Sequence, residues 1–395
     1  MIERLDGIPE WSEPDAGVLG LLLPSTLMVK EIVRLRGCFR ILFLYDVAEA
    51  IDLEKLGDLL GTRGGPVERP FPRRTPEYVR FEHTPIVEPT EPLMPETDLK
   101  AACTMKYYSF GVVVVQVEIP FESDWNSLLS QNSRWMDASE IEETARTVAR
   151  QHLERVEPAV TRPNKDWLAE RYLVTELHEL QAAADVQTTT AELLHSHGAE
   201  IVQLVRGEIL PLSTKGIEEA LQAGLSYYAR DLIVVGANGA VVYDRPEDAA
   251  ATAQILEFAK MQLLEFRYYD RLMTRVLSNL YDVLDQKRNL LFSRWSLPRD
   301  AQRFNTIRLD VMELTERVDN AIKFVSDAYY ARVYRMAATR MGVPEYRQLV
   351  DEKLSTAADL TDFMVDQFNE ARSFFLEVGV AILALLDVIL LLRGK

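Results

Sequence analysis

The segment that most constrains this chain is Phe374–Leu392, which reads FFLEVGVAILALLDVILLL. As α-helix its nineteen residues span about 28 Å, close to the ~30 Å hydrocarbon core of a bilayer. Only Glu377 and Asp387 interrupt the run, and Arg393 and Lys395 follow it. An acid near the bilayer centre costs ~2.5–3.5 kcal/mol, while each Leu, Ile or Val returns a few tenths. The expectation is a transmembrane helix over 374–392, making this a single-pass membrane protein with its soluble domain in the cytoplasm. In that reading Glu377 sits at the membrane interface, Asp387 is easier to bury facing a partner helix, and Arg393 and Lys395 snorkel to the headgroups. The competing reading is a terminal helix buried in the protein's own core or covered by a partner.

A 395-residue chain is too long for one simple core, so two soluble parts are expected ahead of the apolar run. The net charge of −17 argues against broad nucleic-acid or anionic-lipid binding, and no direct nucleic-acid partner is expected. Local cationic clusters at Lys30, Arg34, Arg36 and Arg40, and at Arg63, Arg69, Arg73 and Arg74, read first as solvated faces. Cys38 and Cys103 make no disulfide framework and sit in apolar contexts, as buried thiols do. The start is acidic, with Glu3, Asp6 and Glu10 before a short apolar run, unlike a secretory signal.

The expected architecture has four parts: an N-terminal tail (1–28), an α+β domain with an antiparallel sheet (29–245), a helical coiled-coil stalk (246–373) and the transmembrane helix (374–392). Within the α+β domain Cys38–Leu44 reads as a buried strand, and Ile51–Leu60 as a short helix stopped by Gly61. Residues 62–99 hold eight of the eighteen prolines and form an insertion, with one possible strand at Tyr78–Phe81. Lys106–Ile119 is the strongest strand signal, and Tyr172–Leu177 another. Asp124–Glu154 and Thr190–Arg206 read as helical, and Leu232–Tyr243 as a hairpin turning on Asn238-Gly239. The glycines of that turn lack the helix and Lys-Ser/Thr of a phosphate loop.

Beyond Arg245 the pattern turns to heptads. Phe266, Tyr269, Met273, Val276, Leu280 and Val283 alternate by three and four, as do Phe304, Ile307, Val311, Leu314 and Val318. Val350, Leu354, Ala357, Met364, Phe368 and Phe375 carry a looser version after Gly342-Val343-Pro344. Breaks near 293–298 and 342–344 let three long helices fold back as an antiparallel bundle. The same apolar stripes serve either that intramolecular bundle or an intermolecular coiled coil that makes a homo-oligomer.

No Gly-x-Ser-x-Gly, Walker loop or His-Glu-x-x-His occurs, so no catalytic, cofactor or metal residues are assigned. His195 and His197 stand two apart in a helical context, where side chains diverge. An enzyme reading would need a pocket in the α+β domain drawing on Glu49, Asp52, His195 and Arg230, which no spacing ties together. The leading function is therefore a membrane-anchored, self-associating scaffold or adaptor without catalysis, which recruits a protein partner at the membrane.

Several short patterns together resemble the "required for meiotic nuclear division" family. They are Tyr45-Asp46-Val47-Ala48-Glu49-Ala50-Ile51-Asp52-Leu53, Phe110-Gly111-Val112-Val113-Val114, the Leu376-Glu377 and Asp387 spacing, and Asp244-Arg245-Pro246. The aromatic residues that the family places after Asp-x-Pro are replaced here by Glu247-Asp248-Ala249, and 291–375 is longer than its helical hairpin. The resemblance implies a divergent member of a domain of largely unknown function, in which Glu377 and Asp387 are a retained pair making helix–helix contact in an oligomer. It also implies an alternative role, a membrane-tethered factor associated with translation or ribosomes, because a eukaryotic member supports mitochondrial translation.

Overall fold

The computed structural model describes residues 32–61, 85–91, 93, 101–137, 139–182, 188–222, 224–285, 307, 309, 311–312 and 328–393. Its centre is an eight-stranded sheet in the order β2-β3-β4-β1-β5-β8-β7-β6. The strands are β1 (Ile32–Ile51), β2 (Ile86–Pro89), β3 (Ala102–Tyr107), β4 (Val112–Ser123), β5 (Val160–Ala182), β6 (Gly224–Leu225), β7 (Leu232–Val235) and β8 (Gly239–Tyr243). Helices α1 (Leu53–Leu60), α2 (Trp125–Asp137), α3 (Ser139–Arg155), α4 (Thr190–Arg206) and α5 (Thr214–Leu221) come before α6 (Pro246–Asp285), α7 (Ala328–Met341) and α8 (Val343–Arg393).

The sheet is mixed, which corrects the expected antiparallel one. Every pairing is antiparallel except β5 with β8, which run parallel with Leu173 opposite Gly239 and Leu177 opposite Tyr243. A parallel pair needs a crossover, and the chain from Thr190 through α4, α5 and β7 supplies it. The apolar run read as one strand from Lys106 is a hairpin: Gly111, at φ +85°, turns β3 into β4. A side chain at Gly111 would collide with the Ala48 carbonyl, so the turn requires glycine. The Tyr78–Phe81 strand expected in the insertion lies outside the described residues.

The strands at the sheet's centre are apolar on both faces, and this decides the architecture. Along β1, Phe39, Ile41, Phe43 and Tyr45 join one core, with Leu128 and Trp135 of α2, Ala145 and Ala149 of α3, and Leu193 and Ile201 of α4. Leu42 and Leu44 point the other way, into a second core with Val112, Val114, Tyr172 and Val174. That second face is closed by Leu256, Ala259, Leu263 and Phe266 of α6, Val333 and Ala337 of α7 and Val350 of α8. The helical region is therefore the third layer of an α/β/α sandwich rather than a stalk appended to an α+β domain. A sheet with two apolar faces has no other way to keep both from water.

Helices α6 and α8 run side by side in the same direction: Arg267 lies over the Tyr346 ring, and Lys353 reaches Asp270 and Thr274. First and third members of an up–down–up trio stand in this relation. Of the middle heptad stretch, Ile307 and Val311 are buried in the same core, while Phe304, Leu314 and Val318 lie outside the described residues.

The expected transmembrane helix is also corrected. Among the described residues no helix is long and apolar enough to cross a membrane. The run from Phe374 is the last part of α8, a single 51-residue helix whose first half packs on α6. The single-pass membrane location expected from that helix therefore lacks the span it rested on.

Candidate functional site

Charge is concentrated on the sheet face beneath α6. Glu257 of α6 is buried and uses both carboxylate oxygens: Lys106 Nζ of β3 donates to Oε2 at 2.5 Å and Tyr108 Oη to Oε1 at 2.8 Å. One helical turn on, buried Lys260 pairs with Glu170 of β5 at 2.8 Å, and Arg267 pairs with the same carboxylate. Lys260 also donates to the Ala237 carbonyl at 3.4 Å and lies 5.8 Å from the Tyr172 ring centroid. Burial pulls its ammonium down to about 8. The hairpin turn thus docks on α6 through Lys260, while Tyr172 Oη donates to the Gly236 carbonyl of the same turn.

A second charged group crosses three strands. Arg40 of β1 donates to Glu176 of β5 at 2.7 Å and to Glu118 of β4. Gln116 Nε2 donates to Glu118 at 2.8 Å, and His178 lies 3.1 Å from Glu176. The pairing of β5 with β1 slips at this point, since Arg36 faces Glu179 and Gly37 faces Leu177, leaving His178 as the extra residue of a bulge. Gly37 is required there, because a Cβ would strike the Glu176 carbonyl. Burial pushes Glu176 up, and hydrogen bonds from His178 and Arg40 more than offset it, so its carboxyl sits below the usual range. Burial, followed by the nearby Glu176 and Glu118 charges, lifts the Cys38 thiol to about 12, which leaves it an unreactive thiol.

Asp46, on β1, differs from these. Asn164 Nδ2 donates to its Oδ1 at 2.9 Å, while Oδ2 is buried without a partner. Burial raises this carboxyl to about 7 and the Asn164 hydrogen bond only partly opposes the rise. Its cross-strand neighbours are Val112 and Leu168.

The residues considered for catalysis do not converge. Glu49 pairs with Arg162 on the surface, and Asp52 is the N-cap of α1, accepting from the Lys55 N–H at 3.1 Å. Both lie where Ile51 meets Val160, at the start of β5. Arg230 belongs to the β6–β7 connection, whose Ala229 carbonyl accepts from Thr190 N beyond the far end of β5. His195 is exposed on α4, whereas His197 stacks on Trp125 at 4.5 Å where α4 kinks. Among the described residues no group of three or more His, Cys, Asp or Glu is placed to hold a metal ion. A half-open hollow of about 300 Å³ lies between α2 and α3, lined by Ser130, Ser133, Arg134 and Asp137 among others. None of the four candidate catalytic residues lines it.

The heptad residues are occupied within the chain where they are described. Phe266, Met273, Val276 and Leu280 are buried and Tyr269 packs against the same core; the Val283 side chain is outside the described residues. Several exposed apolar side chains, by contrast, lie together on the far part of α8. Val380, Ile382 and Leu383 are 66%, 54% and 65% exposed, with Val378 and Phe363 also open. At ~100° per residue, Val378, Val380, Ile382 and Leu383 spread over more than half of the helix circumference. Glu377 is exposed beside them, while the Asp387 and Arg393 side chains and Lys395 lie outside the described residues.

An uncharacterized protein of Methanocaldococcus jannaschii, MJ0711, is 22% identical to the chain over 192 residues, 49% of this chain and 58% of that protein. The chain thus spans less than two thirds of that relative's length. No solved structure matches. Neither the relative nor the matching family carries a link to the "required for meiotic nuclear division" proteins, so the resemblance narrows to membership of an uncharacterized family. The family model described as "Uncharacterized protein MJ0711, N-terminal domain" matches residues 36–249, more than half of the chain and nearly all of the sheet, and the chain belongs to that family.

Proposed function

We propose that this chain is a non-catalytic scaffold that self-associates through the far part of α8. The observation that carries the reading is the cluster of exposed Val380, Ile382 and Leu383 on a helix whose Val350 and Ala357 are buried in the core. A helix apolar around most of its circumference is stable only when something covers it. Burying such a residue is worth about 1.5–3 kcal/mol, and a second copy of the same helix offers a matching surface. Intermolecular contact here does not compete with the heptad positions of α6, which the chain's own core already uses. The charged groups beneath α6 support the same reading, since they are paired with one another and point to holding layers together.

Sedimentation velocity on the full chain tests this, alongside a variant carrying Val380→Glu, Ile382→Glu and Leu383→Glu. The full chain should sediment as an oligomer at micromolar concentration and the variant as a monomer with an unchanged thermal midpoint. A monomeric full chain, or an oligomer indifferent to the three glutamates, overturns the reading.

A further inference from the structure

The turn after α4 carries the most exposed large apolar side chain among the described residues, Leu210, at 76%, beside Ile209 at 57% and an exposed Pro211. This finger is preset. Gly207, at φ +71°, ends α4 with its N–H on the Gln203 and Leu204 carbonyls, and a Cβ there would strike Met136 of α2. Buried Gln203 then donates from Nε2 to the Ile209 carbonyl at 2.9 Å and the Leu210 carbonyl at 3.0 Å. Ile209 also forms one wall of the hollow of about 300 Å³, whose other apolar walls are Trp135 and Ile141. The corner between α2 and α3 that bounds the hollow is fixed by Arg171 of β5, which donates to the Asp137 carbonyl and to Glu142. A projecting apolar finger thus stands next to a fixed hollow.

We infer that finger and hollow form a contact between two copies of this chain, each copy's Leu210 entering the other's hollow. A knob and a hole side by side on one surface become complementary about a two-fold axis between them, because the contact made in one direction is repeated in the other. Charge allows the approach. Exposed Arg206 and Glu208 stand at the base of the finger, and exposed Arg134 and Asp137 at the hollow. These four charges sum to zero on a chain that carries −17, and the two-fold brings the finger's pair to the hollow's pair of the other copy. Held in place beforehand, the finger loses little conformational entropy on entering. Stable interfaces bury about 1,200–2,000 Å² in all, and a few residues from each copy cover less. The contact is therefore weak between free copies and takes hold at the roughly millimolar effective concentration of copies already joined. It does not depend on the pairing of α8; only the linking of α8-paired copies into larger assemblies rests on that reading.

The test uses the full chain carrying Val380→Glu, Ile382→Glu and Leu383→Glu, so that its outcome is independent of how α8 associates. A photo-crosslinking leucine analogue replaces Leu210 in a mixture of light and heavy isotope-labelled protein. At about 1 mM, the effective concentration of a short tether, the expected product joins position 210 of one copy to residues 130–141 of another as light–heavy pairs, and dilution should abolish it. Ser133→Trp, which fills the hollow, should cut the yield about tenfold, a loss of ~1.4 kcal/mol, with circular dichroism unchanged; Ser139→Trp takes its place if the first substitution disturbs the fold. Crosslinks confined to single chains, crosslinks between copies outside the hollow, no crosslink in folded protein, or a yield indifferent to the tryptophan would each overturn the inference.

Discussion

On the face covered by α2, α3 and α4, β1 presents Phe39, Ile41, Phe43 and Tyr45; on the face covered by α6 the same strand presents Arg40, Leu42, Leu44 and Asp46. The first face is almost wholly apolar. Its buried polar link is Asn132, which accepts from Thr175 Oγ1 at 2.6 Å and donates to the Leu204 carbonyl at 2.8 Å. The second face holds Glu257 with Lys106, Glu170 with Lys260 and Arg267, and Glu176 with Arg40. Apolar contact is indifferent to register, whereas a buried ion pair fails if the helix slides by one turn. Helix α6 is 40 residues long with apolar residues throughout its first part, so many alignments on the sheet would bury similar area. The pairs at 257 and 260 select one of them, at a desolvation cost the other face does not carry.

Breaking one ion pair should give the largest effect. Glu257→Ala leaves Lys106 buried and charged and strands the Tyr108 hydroxyl, at a cost of about 3–5 kcal/mol in urea denaturation. The double substitution Lys106→Met with Glu257→Leu should recover most of that loss, since an apolar pair of similar volume escapes the desolvation penalty. On the other face Leu128→Ala should cost about 2–5 kcal/mol through its cavity, and removing a charge elsewhere should not restore it. If the double variant at 106 and 257 is as unstable as Glu257→Ala, ion pairing is not what distinguishes the two faces.

The next effect is a pH dependence that belongs to the charged face. Burial holds Asp46 near 7 in the folded protein, against roughly 3.9 in an unfolded chain. Between those values the folded state binds the extra proton, so this group's contribution to stability falls as pH rises from about 4 to about 7 and is level above that. Asp46→Asn keeps a side chain that can accept from Asn164 and removes the ionisation. At pH 8 the variant should be more stable than the parent by on the order of 2–4 kcal/mol, and near pH 4 the two should converge. Carboxylates held low, such as Glu176 and Glu88, contribute with the opposite sign and cancel in the difference. Equal stability gaps at pH 4 and pH 8 would show that Asp46 is ionised as readily in the folded state as outside it.

Much of the apolar face was legible in the residues. Thr190–Arg206 is helical over the expected span, Gly61 ends α1 at φ 69°, and Leu232–Tyr243 forms the hairpin. These are local signals, caps, glycines and turns, which neighbours in sequence determine. The charged face was not legible, because its partners lie 151 residues apart at Lys106 and Glu257 and 136 apart at Arg40 and Glu176. The near-continuous apolar character of Cys38–Leu44, broken only at Arg40, fits a strand covered on both faces, which calls for a helical layer on each side. The heptads of α6 suit a stalk as well as a layer, because an apolar stripe does not say whether it meets a helix or a sheet. The terminal run suggests a membrane span because nineteen residues match a bilayer's thickness, a length that a continuing helix reproduces equally well.

The smallest expected effect tests whether the apolar face is held by packing or by its helix ends. Helix α4 opens with a reciprocal cap: the Glu192 N–H donates to Thr189 Oγ1 at 3.3 Å, and Thr189 N donates to the Glu192 carboxylate at 2.9 Å. Thr189→Ala removes one arm and should cost about 1 kcal/mol. Glu192→Gln retains an acceptor for the other arm and should cost less. Both losses are small beside that at Leu128, because α4 is fixed by buried Leu193, Ile201 and Leu204 along its length. Amide exchange distinguishes the cases. If packing governs, exchange in Thr189→Ala quickens over the first turn of α4 and stays slow from Gly198 onward. Quickening along the whole helix would mean that the cap holds α4 on the sheet, and the apolar face would then depend on local polar contacts as much as the charged face does.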